Sequence, residues 1–180
     1  MMADQINAAA HPLIGTIISS DDDAMRCALV LARVAFDAGE VPVGAVIVAD
    51  NKIIGVGANA PITSLDPTCH AEVVAIRDAA KRLGNYRLND TTLYVTVEPC
   101  SMCAGAIVHS RVRRLVYGTT EPKAGVALSA EQFFEKPFLN RIVLVDGGIL
   151  ADECSSIMTE FFALRRAGKK RLKEQLKTGD

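Results

Sequence analysis

Apolar positions along this chain follow two alternating patterns, one with helical spacing and one with the short apolar runs of buried strands. Helical spacing predicts helices at Ser20–Gly39, at Cys69–Leu83 with Thr68 as cap, from Cys100 or Ser101 to Ser110, and after Gly148. Apolar, β-branched runs predict strands at Val43–Ala49, Lys52–Ala60, Thr91–Val97, Arg114–Tyr117 and Arg141–Val145. Since strands and helices alternate, we expect an α/β fold, a three-layer α/β/α sandwich with a five-stranded mixed sheet.

Two connecting regions interrupt this pattern. Asp50-Asn51 is typical of a hairpin turn between the first two strands. Residues 119–138 contain prolines and a glycine and are predicted to be irregular, with a short helix near Ser129–Glu135. The connection before the last strand is therefore the least regular part of the predicted domain.

The N-terminal residues are predicted to lie outside the folded domain. Residues 1–20 contain one short apolar piece, Leu13–Ile18, and lack the basic start of a signal peptide. We therefore expect a disordered extension over 1–20 and one domain over 21–180 that ends in a basic helix. No apolar stretch reaches the roughly 18 residues of a membrane helix, so we expect a cytoplasmic protein without a membrane partner.

Charge is nearly balanced overall but uneven along the chain. The net charge of −1 argues by itself against a nucleic-acid partner. From Arg165 to Asp180, however, seven basic residues stand against two acidic ones. This asymmetry is a modest indication of a polyanionic partner. On charge alone, solvated charges on a terminal helix are the better explanation.

Two short motifs carry the candidate chemistry. His70-Ala71-Glu72 is followed downstream by Pro99-Cys100-Ser101-Met102-Cys103. Structural zinc sites normally take four protein ligands, whereas catalytic sites take about three and leave one position for water. His70, Cys100 and Cys103 are thus predicted to bind a catalytic zinc ion, and Glu72 to move protons. At two residues apart, His70 and Glu72 can converge only at the tip of a helix.

Each motif also has a simpler interpretation. Cys100 and Cys103 can form a redox pair, and Glu72 can be an ordinary acidic residue favoured by the helix dipole. Cys69 is a possible rival zinc ligand, although a small buried filler explains it better. Cys27 and Cys154 are expected to be core residues on helix faces.

The two motifs match the H-x-E…P-C-x-x-C signature of the zinc nucleobase deaminases, and the resemblance extends to their flanking residues. Blocks that look like the bacterial tRNA-specific adenosine deaminases, members of the zinc-dependent cytidine deaminase superfamily, are Glu40–Ala45, Asp66–Glu72, Asn85–Leu88, Thr92–Cys100, Met102–Ala106, His109–Arg111 and Gly148–Cys154. The match covers about residues 21–168. It implies hydrolysis of the wobble adenosine of a tRNA anticodon stem-loop to inosine, by a homodimer with one Zn²⁺ per subunit.

The resemblance also implies roles in substrate binding. Asn59 and the Ala71 backbone would hold a flipped-out base. Other positions implied to line the pocket or contact RNA are Val41, Pro42, His109, Glu121 and Lys123. The sequence departs from the family pattern at two positions. Cys69 replaces a small Ala or Ser, and Glu121 stands where Asp is common.

Two other functions remain open from the sequence. A free-base or nucleoside deaminase acting on guanine, cytosine or cytidine uses the same zinc motifs and needs no basic surface. A zinc-stabilised tRNA-binding subunit without activity belongs to a different class. The presence of Glu72 argues against it, because loss of the proton-carrying carboxylate would be its mark.

Overall fold

The sheet confirms the predicted architecture. In a computed structural model that describes residues 11–178, five strands form one mixed sheet in the order β2-β1-β3-β4-β5. The strands are β1 (Gly44–Ala49), β2 (Lys52–Ala58), β3 (Thr92–Val97), β4 (Arg114–Thr119) and β5 (Leu144–Gly147). β1 is antiparallel to β2 and β3, whereas β3, β4 and β5 run parallel.

Helices cover both faces of this sheet. They are α1 (Asp21–Asp37), α2 (Pro61–Ser64), α3 (Ala71–Leu83), α4 (Ser101–Ser110) and α5 (Ala151–Thr178). α1 and α5 pack on one face and α3 and α4 on the other, each face enclosing its own apolar core. Between residues 11 and 178, no helix combines the length and apolarity that crossing a bilayer requires.

The hairpin between β1 and β2 forms as expected. Asp50 and Asn51 both adopt positive φ, 47° and 59°. This conformation is typical of the type I′ turn, whose twist matches that of the flanking strands. The turn thus fixes the register of the two strands at the sheet edge next to α3.

The region before α5 differs from the prediction. β5 is Leu144–Gly147, not Arg141–Val145, and only one 3-10 turn, Phe133–Glu135, forms where a short helix was expected. Ile142 is 85 % exposed and Leu144 52 % exposed. Val143, by contrast, is 6 % exposed and lies in the core, and Val145 packs against it. The apolar run therefore alternates between core and solvent, and its pairing with β4 begins only at Leu144.

Two glycines of β2 let α3 pack unusually close to the sheet. A Cβ added at Gly57 would lie 2.1 Å from the backbone oxygen of Ala71, the first residue of α3. One added at Gly55 would lie 2.6 Å from the Cβ of Ala79. Since Ala71 and Ala79 are fully buried, small residues on both elements bring the start of α3 against the strand.

The prediction of a disordered extension is wrong for residues 11–20. Gly15 and Ile18 donate backbone hydrogen bonds to the carbonyls of Ile53 and Asn51, and Ile53 donates one to Thr16. Ile18 is buried in the core beneath α1. The segment covers the edge of β2, which would otherwise expose unpaired backbone groups. Residues 1–10 lie outside the described part of the chain.

Candidate active site

Two helices begin at the candidate metal ligands. His70 is the N-cap of α3 and Cys100 the N-cap of α4, and neither helix has a side-chain cap. The predicted Thr68 cap is wrong, because the Thr68 backbone N–H and hydroxyl both donate to Asp66 instead. The uncapped N-termini direct partial positive charge toward the site, which favours thiolate ligands.

The three predicted ligand side chains form a compact triangle. The His70 Nδ1 lies 3.7 Å from the Cys100 Sγ and 3.5 Å from the Cys103 Sγ, and the two sulfur atoms are 3.7 Å apart. Zinc bonds of about 2.3 Å to sulfur and about 2.05 Å to nitrogen at tetrahedral angles would separate two sulfurs by about 3.8 Å, and sulfur from nitrogen by about 3.6 Å. The triangle therefore has the dimensions of one face of a tetrahedral zinc site.

Glu72 lies beside this triangle without belonging to it. The group that can hold a metal within the described residues comprises His70, Cys100 and Cys103. Glu72 is the second residue of α3 and is buried. His70 has extended backbone angles, φ −76° and ψ 152°, so it departs from the helical spacing that would point the two side chains apart. The expected convergence at the helix tip is what the structure shows.

The local environment shifts the pKa values of these groups. A hydrogen bond from the Cys103 thiol, aided by His70, lowers the pKa of Cys100 to about 4 against the cost of burial. The same pairing raises the pKa of Cys103, and the hydrogen bond to Cys100 raises that of His70. Burial raises the pKa of Glu72. The cluster thus favours a Cys100 thiolate and gives Glu72 a greater affinity for a proton than a surface carboxylate has.

The triangle opens into a small cavity of about 220 Å³. His70, Glu72 and Cys100 line it, together with three of the predicted substrate-binding residues, Val41, Asn59 and Glu121. Lining residues that the sequence did not single out are Val43, Val97, Glu98, Ala124 and Met158. The cavity is smaller than the roughly 300–1,000 Å³ of drug-sized ligand sites, so it suits one small planar group.

Within the described residues 11–178, four other residues predicted to bind substrate do not line this cavity. Ala71 and Pro42 are buried directly beside lining residues. Lys123 is exposed and lines an adjoining groove. His109 is exposed in the last turn of α4, about 13 Å along the helix axis from Cys100.

Glu98 holds the irregular loop against the site, a role that sequence reasoning missed. Its buried carboxylate accepts backbone N–H bonds from Glu121 (3.0 Å), Leu128 (2.7 Å) and Ser129 (2.9 Å), and a further bond from the Ser129 hydroxyl. Burial opposes its ionisation, but these hydrogen bonds outweigh burial and lower its pKa. Gly125 passes so close that an added Cβ would lie 2.4 Å from this carboxylate.

The remaining cysteines lie away from the donor triangle. The Cys69 Sγ lies 3.3 Å from an Asp66 carboxylate oxygen. Cys154 is fully buried and Cys27 packs against the same core, as expected for both. The rival ligand role considered for Cys69 therefore finds no support in the geometry.

Comparisons with known proteins agree with this site. The model of the MafB19-like deaminase family matches residues 19–166. A relative from Haemophilus influenzae named tRNA-specific adenosine deaminase is 50 % identical over 88 % of this chain and 92 % of its own. A relative of the same name from Buchnera aphidicola (subsp. Baizongia pistaciae) is 47 % identical over 82 % of this chain and 91 % of its own.

Solved structures agree as well. One from a study of A-to-I editing by tRNA:A34 deaminases at the wobble position of transfer RNA is 43 % identical, with a TM-score of 0.73 over 74 % of this chain and 97 % of its own. A guanine deaminase from Bacillus subtilis is 37 % identical, with a TM-score of 0.56 over 82 % of this chain and 95 % of its own. The chain therefore belongs to the MafB19-like deaminase family and, within it, to the tRNA-specific adenosine deaminases.

Proposed function

We propose that this protein hydrolyses the wobble adenosine of a tRNA anticodon to inosine and ammonia. The observation that carries the proposal is the His70, Cys100 and Cys103 triangle with Glu72 beside it in one small cavity. The relatives named above support adenosine in tRNA as the substrate. Glu72 argues against an inactive RNA-binding subunit, which would have no use for a buried carboxylate at this point.

His70, Cys100 and Cys103 would hold one Zn²⁺ per subunit. Two thiolates and one neutral imidazole would balance the charge of the dication, and three protein donors are the number typical of catalytic zinc sites. Zinc in such a site lowers the pKa of water from about 15.7 to about 7, which supplies hydroxide at neutral pH.

Glu72 would carry the proton that the reaction must move. Deamination adds water at C6 of adenine, breaks the C6–N6 bond and releases ammonia. One proton of the water ends on ring N1 and the other on the amino group as it leaves. Glu72 is not one of the three donors and lines the cavity with them. General acid–base catalysis of this kind contributes about 10²–10⁴ in rate.

Asn59 would hold the base in the cavity. Asn59 is 7 % exposed and lines the cavity. Its carboxamide offers both a donor and an acceptor, which match the hydrogen-bonding edge of a base. Val41 and Glu121 would complete the wall, with Ala71 and Pro42 behind it. Since the cavity admits a single base, the adenosine must be flipped out of the anticodon loop.

We further propose a homodimer that acts in the cytoplasm. Ile62 is 60 % exposed and Leu65 90 % exposed on the segment between Asn59 and His70. Large apolar side chains exposed together favour a protein interface. Sedimentation analysis would test it, with a monomer at micromolar concentration as the contrary result.

The activity is tested by offering purified protein four substrates in parallel. These are an anticodon stem-loop with a wobble adenosine, the same stem-loop with the adenosine moved to a neighbouring loop position, free adenosine, and free guanine. We expect inosine in the first RNA alone. The Bacillus subtilis relative makes guanine the specific alternative, and turnover of free guanine without turnover of RNA would replace the proposal by that activity.

A further inference from the structure

A basic face of α5 leads away from the candidate active site. Met158 of α5 lines the active-site cavity. At about 100° per residue, Phe162, Arg166, Lys169, Lys170 and Lys173 all fall within about 120° of helix surface that starts at Met158. We name the last four residues, Arg166, Lys169, Lys170 and Lys173, the basic track.

We propose that the basic track binds the phosphate backbone of the substrate RNA where the strand leaves the active-site cavity. This inference rests on the proposed function and extends it to a surface beyond the reacting base. The track ends about 22 Å along the helix axis from Met158, well outside the reach of the reacting nucleotide.

A groove connects the cavity with the start of the track. A groove of about 560 Å³ shares Val97, Glu121 and Met158 with the active-site cavity and continues to Phe162 and Arg166. Beyond this first groove, the exposed surface of α5 continues from Phe162 and Arg166 to Lys169. A strand with one base in the cavity therefore has an open path along α5.

The first groove has features suited to nucleic acid. Lys123, from the loop after β4, and Arg166, from α5, line it together. Phe162 also lines it and is 42 % exposed, so its ring is available for stacking on a base. Cationic side chains that follow the backbone and an aromatic ring for bases are the usual combination in proteins that bind single strands.

The cations of the track are available to an external partner. Arg166, Lys169 and Lys173 are exposed, and none of them forms an ion pair with another residue of the described chain. Lys170 lies 4.0 Å from Glu174, and both side chains are largely exposed. An exposed pair of this kind contributes little and yields readily to a phosphate.

The opposite face of the same helix provides a matched control. Arg171 is exposed and lies about 160° around the helix from Lys173. Replacing either residue with glutamine removes one positive charge and keeps a good helix former. If the RNA is attracted only by the total charge of the protein, the two variants should weaken RNA binding equally. If the track binds the RNA, only the Lys173 variant should weaken it.

The experiment measures the affinity of the full-length protein for the wobble-adenosine stem-loop between 50 and 200 mM salt. Each lost phosphate contact reduces the slope of log K against log salt by about 0.7–0.9, so the affinity change across this range shrinks about threefold. We expect this reduction in slope, together with a higher KM, for K169Q and for K173Q. The double variant should lose about twice as much slope, whereas R171Q should behave like the wild type. Circular dichroism checks that α5 remains helical.

Three results would overturn the track. One is an unchanged slope in the double variant, and another is an equal change in R171Q. The third is a double variant that no longer binds phosphatidylserine–phosphatidylcholine vesicles but keeps its affinity for RNA. That result would show that this face of α5 binds membranes. If the wild-type protein deaminates the stem-loop and the variants show the wild-type salt dependence of binding, the proposal for the track is wrong but the proposed function stands. If wild-type protein neither binds nor deaminates it, the proposed function fails and the track with it.

Discussion

The two walls of the active-site cavity are built in different ways. The metal wall consists of the N-termini of α3 and α4, with His70, Glu72 and Cys100 held by regular backbone hydrogen bonds and close packing on the sheet. The opposite wall includes Glu121 and Ala124 of an irregular loop. That loop depends on Glu98, whose carboxylate receives four hydrogen bonds from it.

This difference separates chemistry from substrate fit. Helix ends packed on a sheet fix donor atoms to within the tolerance that a metal requires. A loop held by one carboxylate can change its shape while the donors stay in place. We therefore expect substitutions in the metal wall to affect kcat, metal content or folding, and substitutions in the loop wall to affect KM.

The largest effect is expected for Glu72→Gln. The amide keeps the shape of the side chain but cannot carry the proton, so kcat should fall by about 10²–10⁴ or more. The protein should remain folded and keep its metal, because Glu72 is not among the three donors. Single-turnover deamination of the stem-loop measures the loss, and near-normal inosine formation would rule out the proposed proton transfer.

A change at Gly57 tests whether close packing positions the metal wall. The Cβ of Gly57→Ala would lie 2.1 Å from the Ala71 oxygen, so the start of α3 must shift. Overpacking of this kind costs about 1–3 kcal/mol, and the melting temperature should fall by about 2–4 °C for each kcal/mol.

Gly168→Ala is the matched control for this change. Gly168 lies inside α5 with open space around its Cα, so an added methyl group should be neutral or slightly stabilising. If Gly57→Ala melted like the wild type and kept full activity, close approach of α3 would not matter for the site.

A smaller effect on a different parameter is expected for Glu98→Gln. Glutamine has a single acceptor oxygen, so some of the donors of Glu121, Leu128 and Ser129 lose their partner. Each buried donor left unpaired costs about 1–3 kcal/mol. We expect KM for the stem-loop to rise about tenfold with a smaller change in kcat and unchanged metal content; a fall in kcat alone would contradict the separation of the two walls.

The smallest effect is expected for Cys69→Ala. Cys69 precedes His70 in the chain but contacts Asp66 instead of the donor triangle. Because its thiol contributes neither a ligand nor a cavity wall, kcat/KM should stay within about twofold of the wild type. A tenfold loss with loss of metal would show that the triangle recruits a fourth thiol.

The sequence predicted the parts of the molecule whose determinants are local. The order of strands and helices and the Asp50-Asn51 turn depend on neighbouring residues, and the structure confirms both. The spacing of Cys100 and Cys103 is also local, and the structure brings their two sulfur atoms to within 3.7 Å. β5 was misplaced because its pairing with β4 begins only at Leu144 and continues to Gly147, past the end of the apolar run.

Other features depend on contacts between distant residues. Glu98 was missed because its partners lie 23 to 31 residues away in a segment without a regular pattern. The ordered packing of residues 13–18 depends on contacts with Asn51 and Ile53 of the hairpin, which no pattern within the segment reveals. The glycines of β2, at alternate positions, were a visible signal that small residues would face α3.

The most direct test of the account is the metal content of purified protein. We expect about one zinc ion per chain in the wild type and in Cys69→Ser, and almost none in Cys103→Ser, because the Cys103 Sγ is one of the three donor atoms. Elemental analysis on folded samples of the three proteins gives the answer. Wild-type protein without stoichiometric metal, or Cys103→Ser with a full complement, would contradict the site on which the proposed chemistry depends.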